Sequence, residues 1–236
     1  MQIAAGVHQL WGVSCQVFAL IGERVTLIDA GPPGNGRLIL RQLRTLGVQP
    51  HDVEQIIITH YHLDHRGAVH ELRRATGARV LVHSTEAPYF RGHRRYPNPV
   101  NRDVAPRLAA LTDPFFAISR GKPLEVETVE DGDALDVLGG LRVLHAPGHT
   151  QGSIVLWLEE QRLLFAGDVM GFRRDHLEVP DPRVTEDQGL AKSSLERLAA
   201  LDVETICFSH FRPLRSGARG ALEQLVGTWS EEFRAS

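Results

Sequence analysis

The chain has 236 residues, of which 42% are hydrophobic and 23% are charged, and its formal net charge is −3. This length is sufficient for one substantial hydrophobic core or for two fused halves. The slightly acidic balance argues against nucleic-acid binding, which requires a basic surface, and no apolar stretch approaches the roughly 20 residues that span a bilayer. The N-terminus lacks a basic segment followed by a long apolar core, so the expected location is the cytoplasm.

Short apolar runs and helical spacings alternate through the first 91 residues. The predicted elements are strands over residues 7–10, 15–21, 24–28, 53–59 and 80–82, helices over 37–46 and 67–75, and a helical turn at 86–91. The fourth strand contains the run Ile56-Ile57-Ile58-Thr59, which is typical of a strand buried on both faces. Cys15 and Cys207 lie in apolar runs and are expected to be buried thiols.

The second half of the chain repeats this alternation. The predicted elements are strands over residues 124–129, 134–137, 141–144, 154–158, 163–166 and 205–209, and helices over 185–201 and 218–233. Thr185 is the predicted N-cap of the first of these helices, because a threonine hydroxyl can accept a hydrogen bond there. Two β-rich halves with helices outside them are expected, in one domain over residues 1–236.

A segment at about residues 85–123 departs from this pattern. Five prolines interrupt its second part, between residues 97 and 123. It is predicted to be an irregular insertion, and its aromatic residues favour an ordered lid over a disordered loop. Phe115 and Phe116 are alternatively candidates for contacts with a second copy of the chain in a homodimer.

Metal-ligand side chains follow four predicted strands at the point where each strand ends. The run that ends at Thr59 continues as His60-Tyr61-His62-Leu63-Asp64-His65, which places four such residues within six positions. Three other strands lead to His149, Asp168 and His210. Imidazole and carboxylate groups suit Zn, Mn and Fe, and a cation would neutralise this crowding. Loops at one end of packed strands converge, so these residues are expected to share one cleft.

These motifs resemble those of the metallo-β-lactamase-fold superfamily. The resemblance rests on His-x-His-x-Asp-His at 60–65, Pro-Gly-His-Thr-x-Gly-Ser at 147–153, Gly-Asp at 167–168 and Ser-His at 209–210. It spans roughly residues 17–212 and implies an α+β fold, a four-layer αββα sandwich with two divalent metal ions at its edge. Zinc is the first expectation for these ions, with iron or manganese as alternatives.

The resemblance also assigns roles to individual residues. One ion would be bound by His60, His62 and His149, and the second by Asp64, His65 and His210, with Asp168 bridging both. Asp29 would support the metal loop, which is the motif at residues 60–65, without binding an ion itself. The implied chemistry is hydrolysis by a metal-bridging hydroxide, because two cations about 3.5–4 Å apart acidify a shared water. Asp64 is the candidate to accept and return the water proton, so Asp64 and Asp168 are the predicted catalytic carboxylates.

The predicted substrate is a small molecule with an ester, thioester or lactone bond, as for glyoxalase II-like and lactonase-like members. True β-lactamase activity is not expected, because that group generally lacks the bridging carboxylate that Asp168 supplies. Two alternatives stay open, an iron-dependent oxidoreductase that resembles persulfide dioxygenases and a phosphodiesterase. A non-catalytic metal-binding domain is disfavoured by the complete ligand set.

Several residues outside the motifs are candidates for contacts with the substrate. Arginines between residues 91 and 107, with two more at 173 and 174, form either an ordinary solvated surface or a basic rim that attracts an anionic substrate. The candidate substrate-contacting side chains are Tyr61, Tyr89, Phe172 and Arg173, and Tyr96 is a further candidate for the pocket wall. No nucleic-acid or membrane partner is expected.

Overall fold

A computed structural model describes residues 1–118 and 122–235, with side chains for residues 1–114 and 122–229. Its larger sheet has seven strands in sequential order. They are β1 (Gln2–Ala4), β2 (Val7–Leu10), β3 (Val17–Ile21), β4 (Val25–Ile28), β5 (Val53–Ile57), β6 (Arg79–His83) and β7 (Glu127–Val129). The first four strands form an antiparallel meander, whereas β4 to β7 pair in parallel.

The second sheet has five strands in the order β14-β11-β10-β9-β8. These strands are β8 (Ala134–Leu135), β9 (Leu141–His145), β10 (Ile154–Leu158), β11 (Leu163–Phe165) and β14 (Thr205–Cys207). A separate hairpin consists of β12 (Gly171–Arg173) and β13 (His176–Glu178). In this sheet β8, β9, β10 and β11 pair antiparallel with one another, and β14 pairs with β11 in parallel.

Seven helices accompany the sheets in the described part of the chain. They are α1 (Gly36–Thr45), α2 (Leu63–Arg66), α3 (Val69–Thr76), α4 (Ala87–Phe90), α5 (Pro106–Ile118), α6 (Gln188–Ala199) and α7 (Ala218–Ala235). Helices α1 and α3 contact each other beside the first sheet, and α6 and α7 contact each other beside the second. No helix within residues 1–118 and 122–235 combines the length and apolar character that a membrane span requires.

Alternate residues of the buried strands enter different hydrophobic cores. In β5, Ile56 packs in the core beneath α1 and α3, whereas Ile57 packs in the core between the two sheets. In β10, Leu156 enters that same central core, and Val155 enters the core beneath α6 and α7. Because side chains of a strand point alternately to its two faces, both sheets are covered on both sides. The fold is therefore the predicted αββα sandwich of the α+β class.

Helix α6 begins later than the sequence predicted. Its N-cap is Asp187, whose carboxylate accepts a hydrogen bond from the backbone N–H of Leu190 at 2.9 Å. Thr185 is fully buried instead, and its hydroxyl donates to the backbone oxygen of Asp181 at 2.8 Å. The predicted N-cap was wrong because Asp187 is the nearer polar side chain to the free N–H groups of the first turn.

The segment predicted as an irregular insertion contains two helices, α4 and α5. Proline did not exclude α5, because Pro106 occupies its first position, where a backbone N–H has no partner within the helix. Pro114 lies inside the helix. The Asn98 side chain fastens the preceding loop to α5 by donating a hydrogen bond to the backbone oxygen of residue 109 at 3.1 Å. The side chains of Phe115 and Phe116 lie outside the described residues.

The limits of several strands also differ from the prediction. The strand expected over residues 124–129 is reduced to β7, and the short strands β1, β12 and β13 were not predicted. Three-residue strands carry too few residues to show the alternation that marks longer ones. Cys15 and Cys207 are both buried free thiols, as expected.

Candidate metal centre

The residues predicted as metal ligands meet at one edge of the sandwich. They come from the segment between β5 and the end of α2, from the loop between β9 and β10, and from the turns after β11 and β14. We call the following seven side chains the ligand cluster: His60, His62, Asp64, His65, His149, Asp168 and His210. Parallel packing of β5 beside its neighbours and of β14 beside β11 brings these segments together.

Asp168 lies at the centre of the ligand cluster. Its Oδ2 atom is 3.1 Å from His210 Nε2 and 3.3 Å from His65 Nε2. The same oxygen is 3.7 Å from His149 Nε2 and 4.0 Å from His60 Nε2. One carboxylate oxygen therefore faces imidazoles on two sides, which is the position that a bridging ligand requires.

The remaining members form two groups around Asp168. Among the sets whose ligand atoms lie within 4.8 Å of one another are His60, His62 and His149 on one side and Asp64, His65 and His210 on the other, and a third set of His60, His65 and Asp168 joins the two sides. In the first group His149 Nε2 is 3.0 Å from His62 Nδ1. In the second, His210 Nε2 is 3.4 Å from Asp64 Oδ2. These are the two sets that the sequence resemblance implied.

Hydrogen bonds behind two of the rings determine their tautomers. His65 Nδ1 is 2.8 Å from Asp29 Oδ2, and His210 Nδ1 is 2.7 Å from the backbone oxygen of Ser14. Carboxylate and carbonyl oxygens only accept hydrogen bonds, so each Nδ1 must carry a proton. In the neutral rings the Nε2 lone pairs then point into the ligand cluster.

Two threonine hydroxyls act in the same way on two further rings. Thr59 Oγ1 donates its single hydrogen to Asp29 at 3.0 Å, so it accepts from His60 Nδ1 at 3.1 Å. Thr185 Oγ1 donates to a backbone carbonyl at 2.8 Å and faces His149 Nδ1 at 3.5 Å. With Nδ1 as the hydrogen-bond donor, four of the five rings turn Nε2 toward the ligand cluster, which is the atom through which the neutral ring would bind a metal.

The electrostatics of the ligand cluster fit a bound cation. Burial lowers the pKa of His149 to about 4 and, together with the charge of neighbouring histidines, holds the pKa values of His60 and His62 well below the usual value. These rings are therefore neutral near pH 7. Among the described residues, the buried atoms without a hydrogen-bond partner include His60 Nε2 and Asp168 Oδ1. Buried polar atoms are costly without partners, and a metal ion would satisfy them.

Asp29 supports the ligand cluster from behind. It follows β4 with a φ of 63° and is buried, and its Oδ1 accepts from the backbone N–H of Thr59 at 2.8 Å. Burial disfavours the charged form of His65, but the surrounding negative groups, which include Asp168 and Asp29, raise the pKa of this ring. A metal ion would replace the proton on Nε2, because imidazole binds metals through a deprotonated nitrogen.

A cavity of about 920 Å³ opens onto the ligand cluster. Much of its wall is apolar, including Pro97, Met170, Phe211, Leu225 and Trp229. Five members of the cluster line it: His62, Asp64, His149, Asp168 and His210. The volume is in the range of small-molecule sites, in which an apolar wall and a few polar groups are the rule. Part of the wall comes from the insertion, which contributes Tyr96, Pro97 and Pro99.

Two of the predicted substrate-contacting residues line the cavity. The Tyr61 hydroxyl donates to Glu186 Oε1 at 2.6 Å, which links the metal loop to the segment before α6. Arg173 lies at the rim, with 64% of its side chain exposed, and its Nε is 3.6 Å from Glu178 Oε2. The ring of Tyr61 is held by this bond, whereas Arg173 is largely solvated.

The other two predicted residues do not line the cavity. Phe172 is buried in the core beneath α6 and α7 and stacks on Phe208, with ring centroids 5.5 Å apart. Tyr89 packs against the core beneath α1 and α3, 5.9 Å from the ring of Tyr96. The structure corrects both predictions. In β12 the alternation of side chains sends Phe172 inward and Arg173 outward.

The sequence prediction missed two ionisable residues beside the ligand cluster. Glu86 is buried, its Oε1 accepts from Thr150 Oγ1 at 2.5 Å, and it also bonds to the backbone of Tyr61 and Gly152. Burial raises the pKa of Glu86 to about 8. Arg66 is partly buried and lines the cavity. Its place directly after the histidine motif was the one available signal, whereas the sequence around Glu86 contained none.

Fold and site together define an αββα protein with a cluster of histidines and aspartates of the kind that holds metal ions, beside a cavity of about 920 Å³. The family model "Metallo-beta-lactamase superfamily" matches residues 10–210. The chain belongs to this superfamily.

Known relatives support a hydrolase. The chain is 30% identical over 229 residues to "Probable metallo-hydrolase YflN" of Bacillus subtilis (strain 168), covering 90% of this chain and 86% of that protein. It is 31% identical over 199 residues to a hydroxyacylglutathione hydrolase of Cereibacter sphaeroides, covering 84% of this chain but only 60% of that protein. The prediction of a metal-dependent hydrolase is confirmed at this general level.

A solved structure agrees with the fold. The metallo-beta-lactamase family protein TTHA1429 of Thermus thermophilus superposes with a TM-score of 0.75 at 27% identity, covering 99% of this chain and 82% of that one.

Proposed function

We propose that the protein is a dinuclear-metal hydrolase that cleaves an ester, thioester or lactone bond of a small molecule. The observation that carries this proposal is the position of Asp168, whose Oδ2 lies within 4.0 Å of ring nitrogens from both groups of ligands. A carboxylate that faces both groups of ligands fits a site with two metal ions better than a site with one metal ion. The cavity beside it offers room for a small substrate.

The proposed reaction adds water across the acyl bond. The oxygen of water bonds to the acyl carbon, the bond from that carbon to sulfur or oxygen breaks, and one proton passes to the leaving atom. Two divalent ions, zinc first with iron or manganese as alternatives, would polarise the acyl oxygen and lower the pKa of the water. They would be held by His60, His62 and His149 on one side and Asp64, His65 and His210 on the other, with Asp168 between.

Asp64 is the residue that we assign to the proton transfer. Its Oδ2 faces His210 Nε2 at 3.4 Å and His65 Nε2 at 3.9 Å. Its Oδ1 receives no hydrogen bond from the described residues, and the side chain lines the cavity. One oxygen can therefore stay within the ligand cluster while the other takes a proton from water and returns it to the leaving group.

The class of bond is supported by the relatives. Hydroxyacylglutathione hydrolases act, by their name, on acylated glutathione, which is a thioester. The chain covers only 60% of that relative, so we do not propose hydroxyacylglutathione itself as the substrate.

The first experiment is proton release in a pH-stat on thioesters, lactones, esters and phosphodiesters, with metal content measured on the same samples. We expect release on an acyl substrate by the metal-loaded protein and a loss of activity and of bound metal in Asp168→Asn. Asp136→Asn, an exposed aspartate beyond β8, is the matched control and should behave like the wild type.

Hydrolysis that survives in Asp168→Asn with reduced metal would contradict the two-metal proposal. Release on phosphodiesters alone would replace the acyl bond with a phosphate ester, and oxygen uptake by an iron-loaded protein without proton release would favour an oxidoreductase.

A further inference from the structure

We infer that Arg66 forms an anion-binding subsite of the cavity and that the substrate carries a carboxylate which this arginine binds. The inference deepens the proposed function and rests on it for the identity of the bond that is cleaved. Arg66 follows the histidine motif directly, and it is the last residue of α2. Its side chain lines the same cavity as His62 and Asp168.

Two contacts hold the guanidinium of Arg66 in place. Its Nε donates to the backbone oxygen of Tyr61 at 2.6 Å. Its Cζ lies 3.4 Å from the centroid of the Tyr96 ring, a stacked cation–π contact. The two terminal nitrogens make no hydrogen bond to the described residues. A rigid fork with free donors is the geometry that binds a carboxylate through two parallel hydrogen bonds.

The charge of Arg66 is not neutralised by the described part of the chain. No carboxylate of the described residues lies within 4.0 Å of its guanidinium nitrogens. The buried acid that acts electrostatically on Arg66 is Glu86, whose carboxyl group accepts hydrogen bonds from Thr150 and from the backbone of Tyr61 and Gly152 and makes none with Arg66. A partly buried cation without a partner is costly, and an anionic ligand would provide the missing counter-charge.

The second arginine on the cavity differs in each of these respects. Arg173 is 64% exposed and lies 3.6 Å from Glu178, so solvent and a carboxylate already neutralise it. Its guanidinium is 5.8 Å from the Phe211 ring, too distant for a close stack. Ionic contacts at an exposed rim contribute little to binding. The structure therefore favours Arg66 over Arg173, the residue chosen from the sequence.

The position of Arg66 limits the shape of the substrate. The backbone N–H of Arg66 donates to the backbone oxygen of His62 at 3.1 Å, so the two residues are one helical turn apart. Residues four apart on a helix are separated by about 6 Å along its axis. Because the Arg66 side chain lines the same cavity as His62 and Asp168, a carboxylate at Arg66 and an acyl group at the ligand cluster can belong to one small molecule. Half-thioesters of short dicarboxylic acids have this form.

The test is a cycle in which the substrate and the protein are changed together. Half-thioesters of short dicarboxylic acids are compared with the same compounds whose free carboxylate is capped as a methyl ester. The ratio of kcat/KM between the charged and the capped compound is measured for metal-loaded wild type, Arg66→Gln, Arg66→Lys and Arg173→Gln. A general loss of folding or metal cancels in this ratio, because it affects both compounds equally.

We expect the ratio to fall roughly 10- to 100-fold in Arg66→Gln, the range for a hydrogen-bonded charged group. Arg66→Lys keeps the charge but loses the fork, so an intermediate ratio is expected. Arg173→Gln should change the ratio by less than about 3-fold, in line with an exposed pair. An unchanged ratio in Arg66→Gln, or an equal fall in Arg173→Gln, would overturn the assignment.

A second readout separates this inference from the proposed function. If the wild type hydrolyses no thioester, calorimetry compares the binding of a short dicarboxylate and of its half methyl ester to the same metal-loaded variants. A binding advantage of the second carboxylate that disappears in Arg66→Gln supports the subsite although the reaction is wrong. An advantage that persists in this variant, or its absence in the wild type, refutes the subsite.

Discussion

Replacing Asp29 by asparagine tests whether the groups behind the ligand cluster determine its affinity for metal. Asp29 Oδ2 accepts from His65 Nδ1 at 2.8 Å, and Oδ1 accepts from the backbone N–H of Thr59. In Asp29→Asn the amide oxygen can keep the bond to Thr59, but the amide N–H groups then face the proton on His65 Nδ1. The ring avoids this clash by moving its proton to Nε2, which faces Asp168 at 3.3 Å. The lone pair that a metal needs is lost.

The size of the effect follows from the bond that is replaced. A hydrogen bond to a charged group contributes about 1.5–3 kcal/mol, and loss of the partner behind a histidine ligand weakens metal binding about 10- to 100-fold. We therefore expect the zinc dissociation constant of Asp29→Asn to rise within this range. Backbone strain does not complicate the comparison, because asparagine tolerates the φ of 63° found at this position.

The assay titrates zinc into metal-free protein in competition with a chromophoric chelator. Asp175→Asn is the matched control, since Asp175 has a similar φ of 66° but an exposed side chain that pairs with Arg212. Urea denaturation of both variants shows whether the fold is retained. A zinc affinity of Asp29→Asn within about threefold of the wild type would refute the argument that Asp29 fixes the tautomer of His65.

Two further predictions concern the segments that surround the ligand cluster. The pKa of Glu86 is raised from 4.5 to about 8, so the folded protein retains a proton that the unfolded chain releases, and stability must fall as the pH rises between these values. Relative to Glu86→Gln, the free energy of unfolding of the metal-free wild type should decrease by roughly 1–4 kcal/mol between about pH 5 and pH 8, measured by urea denaturation; parallel pH profiles would contradict it. Gly152→Ala should lower the free energy of unfolding by about 1–3 kcal/mol, because its Cβ would lie 2.2 Å from Glu86 Cγ. Gly220→Ala in α7, where a Cβ meets open space, should instead stabilise by about 0.5–1 kcal/mol, and equal stability of the two alanine variants would refute the clash.

Local patterns were sufficient to predict much of the fold. The run from Ile56 to Thr59 is buried on both faces because its β-branched side chains fill the cores above and below the first sheet. The same locality explains the ligand cluster, since each of its members lies in the segment that follows a strand: β5, β9, β11 or β14. Convergence of the strand ends at one edge of the sandwich followed from the fold that the motifs implied.

Errors arose where a local pattern fits two structures. Phe172 and Arg173 are adjacent in β12, and the sequence does not reveal which face of that hairpin meets the core. Threonine and aspartate are both good N-caps, and the hydroxyl of Thr185 is used elsewhere, behind His149. Proline at the start of α5 was interpreted as an interruption rather than as a first helical residue.

The sequence by itself determined the superfamily, the positions of most strands and the seven side chains of the ligand cluster, because these depend on residue type and spacing along the chain. The tertiary structure alone decided the tautomers of the histidines, the buried acid Glu86 and the unpaired cation Arg66. Each of these depends on partners from distant segments: Asp29 lies 36 positions from His65, and Glu86 lies 64 positions from Thr150. Hydrogen bonds and burial between distant segments arise only when the sheets pack, and they set the charge and direction of each side chain in the site.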